Sequence, residues 1–326
     1  MRPIGHWETP QFPREKKMLS RIAESLFWIG RYVERADGTA RLLDVNLQLL
    51  LEDPWVAEDP ACRSLLKVIG SSTEFQGQLD RHQLMDALTV DRNEPASIAS
   101  SLGAARENAR RVREIVSTEL WECLNTTRSR MPRKVALERS HDFFGWVRER
   151  TALAIGIVES STSRDEAWTF FTLGRSLERV DMTARLLATS ELTEASGPSW
   201  TTILRSCGAY EAYLRTYRGV PSATNAAEFL LLDRIFPRSV IFSIARAEAC
   251  LADLAPENNR VGVSDDALRV LGQLRTNLEY RSAPAILANL TAEMLNLQDG
   301  INQVSDAIRS RYFPVNALPT WVGEAS

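Results

Sequence analysis

Two segments of this chain carry side chains whose types and spacing suit chemistry. Residues 27–43 read FWIGRYVERADGTARLL and residues 171–187 read FTLGRSLERVDMTARLL, identical at 11 of 17 positions without a gap. The first brings Arg31, Glu34, Arg35, Asp37 and Arg41; the second brings Arg175, Glu178, Arg179, Asp181 and Arg185. On a helix turning about 100° per residue, Phe27, Gly30, Arg31, Glu34, Asp37 and Arg41 fit within an arc of about 120°, with Arg35 at its outer edge. Arg31 to Glu34 is an i,i+3 step and Asp37 to Arg41 an i,i+4 step, so both pairs can meet on the helix surface, and the second copy repeats them. Adjacent Glu34-Arg35 and Glu178-Arg179 cannot face one another and must serve different neighbours.

Such a stripe supports two chemistries. One is an ion-pair and hydrogen-bond network that sets the register of two related helices. The other is a polar pocket in which arginine forks hold an anionic or carboxylate-bearing group, with the two glutamates as acid and base. Gly30 and Gly174 each cost a helix about 1 kcal/mol relative to alanine, so something must approach closely there.

The elements that must position these residues are helical. From Met18 to Leu51 no proline occurs, and Ile22, Leu26, Ile29, Val33, Ala36, Ala40, Leu43 and Leu47 recur at steps of three and four, with Asp53-Pro54 closing the helix. Similar periodicity fills about 61–76, 95–125, 135–160, 165–190, 199–217, 223–234, 238–255, 264–281 and 284–311. No alternating Val/Ile/Thr run suggests a sheet.

Self-similarity extends beyond the stripe. Asp91-Arg92 with Pro95 matches Asp233-Arg234 with Pro237, and Leu66, Lys67 and Gly70 match Leu204, Arg205 and Gly208. The expectation is an all-α helical bundle of two internally duplicated halves packed about a pseudo-twofold axis, since units of this size are too long for a solenoid. The divisions are a flexible segment at 1–16, a first repeat at 17–160, a second at 161–313 and a tail at 314–326, with ELTEASGPS at 191–199 as the first loop of the second half.

Composition removes several functions. A formal net charge of −3 disfavours a general grip on nucleic acid. Only Lys16, Lys17, Lys67 and Lys134 are lysines among 39 basic residues, a skew that codon bias can produce. Cys62, Cys123, Cys207 and Cys250 lie far apart and read as small core side chains; with only His6, His82 and His141, no metal site forms at motif spacing. His141-Asp142 reads as a surface pair at a helix start, and Glu159 to Asp165 as a helix end followed by a start capped by Ser163 or Asp165. No phosphate loop or nucleophile-base motif occurs, so no cofactor is expected. Neither a signal core nor a run of about 18 apolar residues is present, and the expected setting is cytoplasmic, away from membranes.

MLSRIAESLFWIGRYVERADGTARLL at 18–43 resembles the opening signature of the alpha-E domain family, named for an α-helical domain with a Glu-Arg motif, here Glu34-Arg35. LGRSLERVDMTARLL at 173–187 resembles that family's internal recurrence, and Leu278-Glu279-Tyr280 and Tyr312-Phe313 are similar to its ending. The resemblance implies a setting beside a circularly permuted ATP-grasp ligase, a transglutaminase-like cysteine peptidase and, in some bacteria, a proteasome-like peptidase. It points to an accessory or binding subunit of a peptide or amide-bond-forming system. The alternatives are an enzyme, a transferase or amide-processing catalyst using the duplicated Glu-Arg stripes, and a purely structural helical scaffold.

Overall fold

A computed structural model describes residues 18, 20–52, 55–71, 73–189, 199–256 and 261–314. The proposed flexible segment 1–16, the closure at Asp53-Pro54, nearly all of the loop 191–199 and the tail beyond Pro314 lie outside the described residues. Among those described, every regular element is helical.

The chain begins with α1 (Ser20–Glu52), α2 (Glu58–Ile69), α3 (Arg81–Thr89), α4 (Ile98–Arg111), α5 (Thr118–Ser129) and α6 (Ser140–Ser161). It continues with α7 (Glu166–Ala188), α8 (Trp200–Ser206), α9 (Tyr210–Tyr217), α10 (Ala223–Leu232), α11 (Val240–Leu254), α12 (Asp266–Glu279), α13 (Ala283–Leu287) and α14 (Leu290–Tyr312). The apolar stripe read from α1 is buried throughout, from Ile22 to Leu47. α1 and α7 form the centre: α1 packs on α4 and α6, α7 on α11 and α14, and the two pack on each other. α1 also touches α8, and α2 touches α7.

Several boundaries differ from the periodic segments. α3 is not among them, because its 9 residues are too short to show a periodic stripe; a capping box starts it, with Asp80 Oδ1 accepting from the Gln83 N–H at 2.8 Å and Gln83 Oε1 accepting from the Asp80 N–H at 3.1 Å. The segment 95–125 is two helices, since α4 stops at Arg111 and Ser117 caps α5 by accepting from the Leu120 N–H at 3.1 Å. The segment 199–217 breaks at Gly208, whose φ of 61° suits glycine, and 284–311 breaks at Asn289. Asp165 caps α7, its Oδ1 accepting from the Ala167 N–H at 2.9 Å. The His141 ring meets Asp44 across the fold, with Nδ1 2.8 Å from Oδ1, rather than its neighbour Asp142.

Candidate functional site

α1 and α7 run side by side in the same direction: Gly30 lies against residues 171–175, Glu34 against 178–179 and Gly38 against Met182. A Cβ on Gly30 would stand 2.1 Å from the Phe171 carbonyl oxygen, and one on Gly174 would stand 2.0 Å from that of Phe27. Each glycine therefore admits the other helix's backbone, and this close approach brings the Glu-Arg pairs together.

The pairs then cross between helices. Arg35 donates through Nε to Glu178 Oε1 at 2.5 Å and through Nη2 to Oε2 at 3.1 Å. Arg179 donates through Nε to Glu34 Oε1 at 2.8 Å and through Nη2 to Oε2 at 2.7 Å. Both forks are bidentate, the strongest geometry available to guanidinium and carboxylate. Glu34 and Glu178 are 1% and 2% exposed, so these are interior ion pairs.

The intrahelical i,i+3 pairing read from the sequence does not form. Arg31 instead reaches Glu178 Oε2 at 3.3 Å and the Ser305 hydroxyl on α14 at 2.8 Å, and Arg175 reaches Glu159 at 3.4 Å and lies 3.9 Å from Glu34. The reason is competition: at this crossing a buried carboxylate on the facing helix presents itself to both guanidiniums. The i,i+4 pairs do form, Arg41 to Asp37 and Arg185 to Asp181, each at 2.9 Å. Arg41 also lies over the backbone of Gly208, and Arg185 over that of Gly70, where a Cβ would crowd each guanidinium at 3.0 and 2.9 Å. The glycines matched weakly in the sequence thus serve the two motif helices crosswise.

Asp91-Arg92 and Asp233-Arg234 lie in turns that precede α4 and α11. Asp91 Oδ1 accepts from the Asn93 N–H at 2.8 Å, Asp233 Oδ1 from the Ile235 N–H at 2.9 Å, and the capping Ser97 and Ser239 each donate a hydroxyl to the preceding aspartate's carbonyl. These aspartates shape a turn. The second turn also delivers Arg238, which sequence reasoning missed: it pairs with Glu34 at 3.0 Å and Asp37 at 2.5 Å. The first turn has Ala96 in the matching place. The only available signal was that asymmetry.

Electrostatics fix the charge states. Burial pushes the Glu34 carboxyl up, but Arg179, Arg238 and Arg175 outweigh it and hold it at about 2. Burial opposes ionisation of Glu178 in the same way, and Arg35 and Arg31 hold its carboxyl below the usual range. Burial lowers the Arg31 guanidinium, with Glu178 acting against it. Burial pushes the Cys62 thiol up to about 11 and those of Cys207 and Cys250 up to about 12, so they are neither thiolates nor nucleophiles at neutral pH.

Space at the centre is small. Glu34, Gly38, Arg179 and Arg238 border a cavity of about 40 Å³, enough for water and far below the roughly 300 Å³ of ligand pockets. On the outer side Arg175, Arg179 and Arg246 border a recess of about 310 Å³ beside Glu159. Among the described residues, no group of three or more His, Cys, Asp or Glu side chains is placed to hold a metal, and no helix is long and apolar enough to cross a membrane.

A family model described as a predicted alpha-helical domain with a conserved ER motif matches residues 18–313. Uncharacterized proteins of Mycobacterium bovis and of Mycobacterium tuberculosis strains CDC 1551 and H37Rv are each 26% identical over 339 residues, covering 92% of this chain and 38% of the relative. The chain thus spans less than half the length of the curated relatives it matches. No solved structure matches it.

Proposed function

This chain belongs to the alpha-E family, and we propose that it is a non-catalytic accessory subunit of a cytoplasmic, ATP-grasp-associated system that forms peptide or amide bonds. In this reading the Glu-Arg motifs form a latch that joins α1 to α7, and recognition of partners falls to the surface the latch holds in shape. One observation carries it: each glutamate is buried with both carboxylate oxygens taken by a bidentate arginine from the opposite helix. A general acid or base working near neutrality needs a pKa near neutrality and a proton path to substrate. Glu34, held at about 2, lacks the first.

The two matching motifs also support the reading of the chain as a duplicated unit, because each copy supplies the other's ligand. For the arginines of the two motif helices, a binding role has support at the outer recess, which Arg175 and Arg179 border beside Arg246.

Pull-down and ATP turnover with a circularly permuted ATP-grasp ligase, and with a transglutaminase-like protein as second bait, test the proposal. The expected result is capture of the ligase, altered ligase turnover and no ATP hydrolysis by this chain alone. Robust turnover by the isolated chain would sink the accessory reading.

A further inference from the structure

Arg92 belongs to a sequence motif that the latch does not use. It stands beside a groove of about 540 Å³ between α4 and α5, floored by Ala99, Gly103 and Ala104 and walled by Arg92, Arg106 and Arg128. Arg106 is engaged by Asn125 at 3.2 Å and by Glu107, and lies on the Trp121 ring. Glu107 is the acid of the groove, and it is already shared by Arg106 and Arg110. Among the described residues, neither the Arg92 nor the Arg128 guanidinium has an ion pair or hydrogen bond. Arg128 is half-buried; burial and then the charges of Arg92 and Arg106 press its guanidinium below its ordinary pKa, with Glu107 acting weakly against them. An anion entering here would offset the burial and the like-charge repulsion, because a facing negative charge favours the charged guanidinium.

The other half shows which anion fits. The second Asp-Arg motif places Arg234 at a groove of about 430 Å³ between α11 and α12. There Arg234 and Arg275 are satisfied from within: Arg234 pairs with Glu279 at 2.7 Å, and Arg275 pairs with Glu248 at 2.6 Å and with Glu279 at 2.5 Å, while Arg246 lies over the Trp168 ring. Glu279, at the end of α12, stands in that groove between Arg234 and Arg275, while the last turn of α5, Thr126 to Ser129, brings no acid to the first.

We propose that the groove between α4 and α5 is a receptor for an acidic peptide segment of a partner, whose side-chain carboxylates take the role that Glu279 and Glu248 play in the second groove. Planar guanidinium forks at Arg92 and Arg128 suit a carboxylate. This deepens the accessory-subunit reading, on which it rests for the partner's identity, by naming an attachment point.

The test is calorimetric titration of the full chain with an N-acetylated hexaglutamate amide at low salt, with inorganic phosphate as a second probe. Wild type is expected to bind the peptide, more weakly as salt rises. Arg92→Gln with Arg128→Gln is expected to lose about tenfold or more in affinity, the worth of one charge-assisted hydrogen bond. That double variant breaks no pair among the described residues and should melt no lower than wild type. Gly103→Glu supplies the missing acid internally, because its Cβ would meet Arg128 Nε at an ordinary 3.5 Å. It is expected to abolish peptide binding, whereas Gly103→Ala should leave binding intact. Absence of saturable peptide binding by wild type, or unchanged binding by the Arg92/Arg128 and Gly103→Glu variants, overturns the proposal. So does phosphate binding as tightly as the peptide and vanishing in the same variants, which would make the groove a phosphate site. Ligase capture is scored separately, so failure of the groove and failure of the accessory reading give different results.

Discussion

At the scale of single residues, the account turns on two carboxylates kept ionised inside the protein. A carboxylate with a depressed folded pKa contributes stability that is fully present above its unfolded value and lost as pH falls through the folded one. For Glu34 the window runs from about 4.5 down to about 2, and the contribution is on the order of 3 kcal/mol. The urea midpoint of wild type should therefore fall steeply across that range, and Glu34→Gln, already weaker at pH 7, should fall less steeply; parallel profiles would contradict the assigned charge state. These residues were all legible in the sequence, which also placed them on one face. Their partners were not. Helical spacing allowed Arg31–Glu34 and Arg175–Glu178, and only the presence of the second helix redirects those guanidiniums across the crossing. Arg238 was hidden because the turn that carries it lies far along the chain and its counterpart is Ala96.

At the scale of elements, the glycines decide how near the two motif helices come. Gly30→Ala or Gly174→Ala would drive a methyl into a backbone carbonyl, which cannot move aside as a side chain could. Each is expected to cost at least about 3 kcal/mol, beyond the usual range for overpacking, and to loosen both bidentate pairs. Gly156→Ala on α6 meets nothing within 4 Å and should stabilise by about 1 kcal/mol through helix propensity. Thermal melts of the three variants check the contrast, and equal effects would remove the close crossing from the argument. Periodicity located the long helices α1, α7 and α11 well, since their apolar stripes face a continuous core. It merged α4 with α5 and α8 with α9, where the break comes from a capping serine or a left-handed glycine inside an otherwise periodic run. It passed over α3, whose buried face of Leu84, Met85 and Leu88 is too short to show a repeating stripe.

For the whole molecule, the consequence is interdependence of its two parts. Arg35 and Arg31 rely on Glu178, Glu34 relies on Arg179 and Arg238, and Arg41 and Arg185 lie on backbone turns of the opposite part. Fragments cut between α6 and α7 should each lose fixed tertiary structure and recover it on mixing, as read by near-ultraviolet circular dichroism; two independently folded fragments would contradict this. The all-helical class and the family were legible from one motif and its recurrence, whereas the activity was not, because the motif's chemistry is directed inward. The central claim is that the Glu-Arg motifs are a latch, and a double-mutant cycle on Arg35 and Glu178, followed by urea denaturation at pH 7, tests it most directly. The latch predicts that Glu178→Ala alone costs about 3–5 kcal/mol by stranding buried arginines, with a coupling to Arg35→Ala of about 2 kcal/mol or more. Single variants whose unfolding free energies lie within about 0.5 kcal/mol of wild type, or losses that add to within about 0.5 kcal/mol, would contradict it.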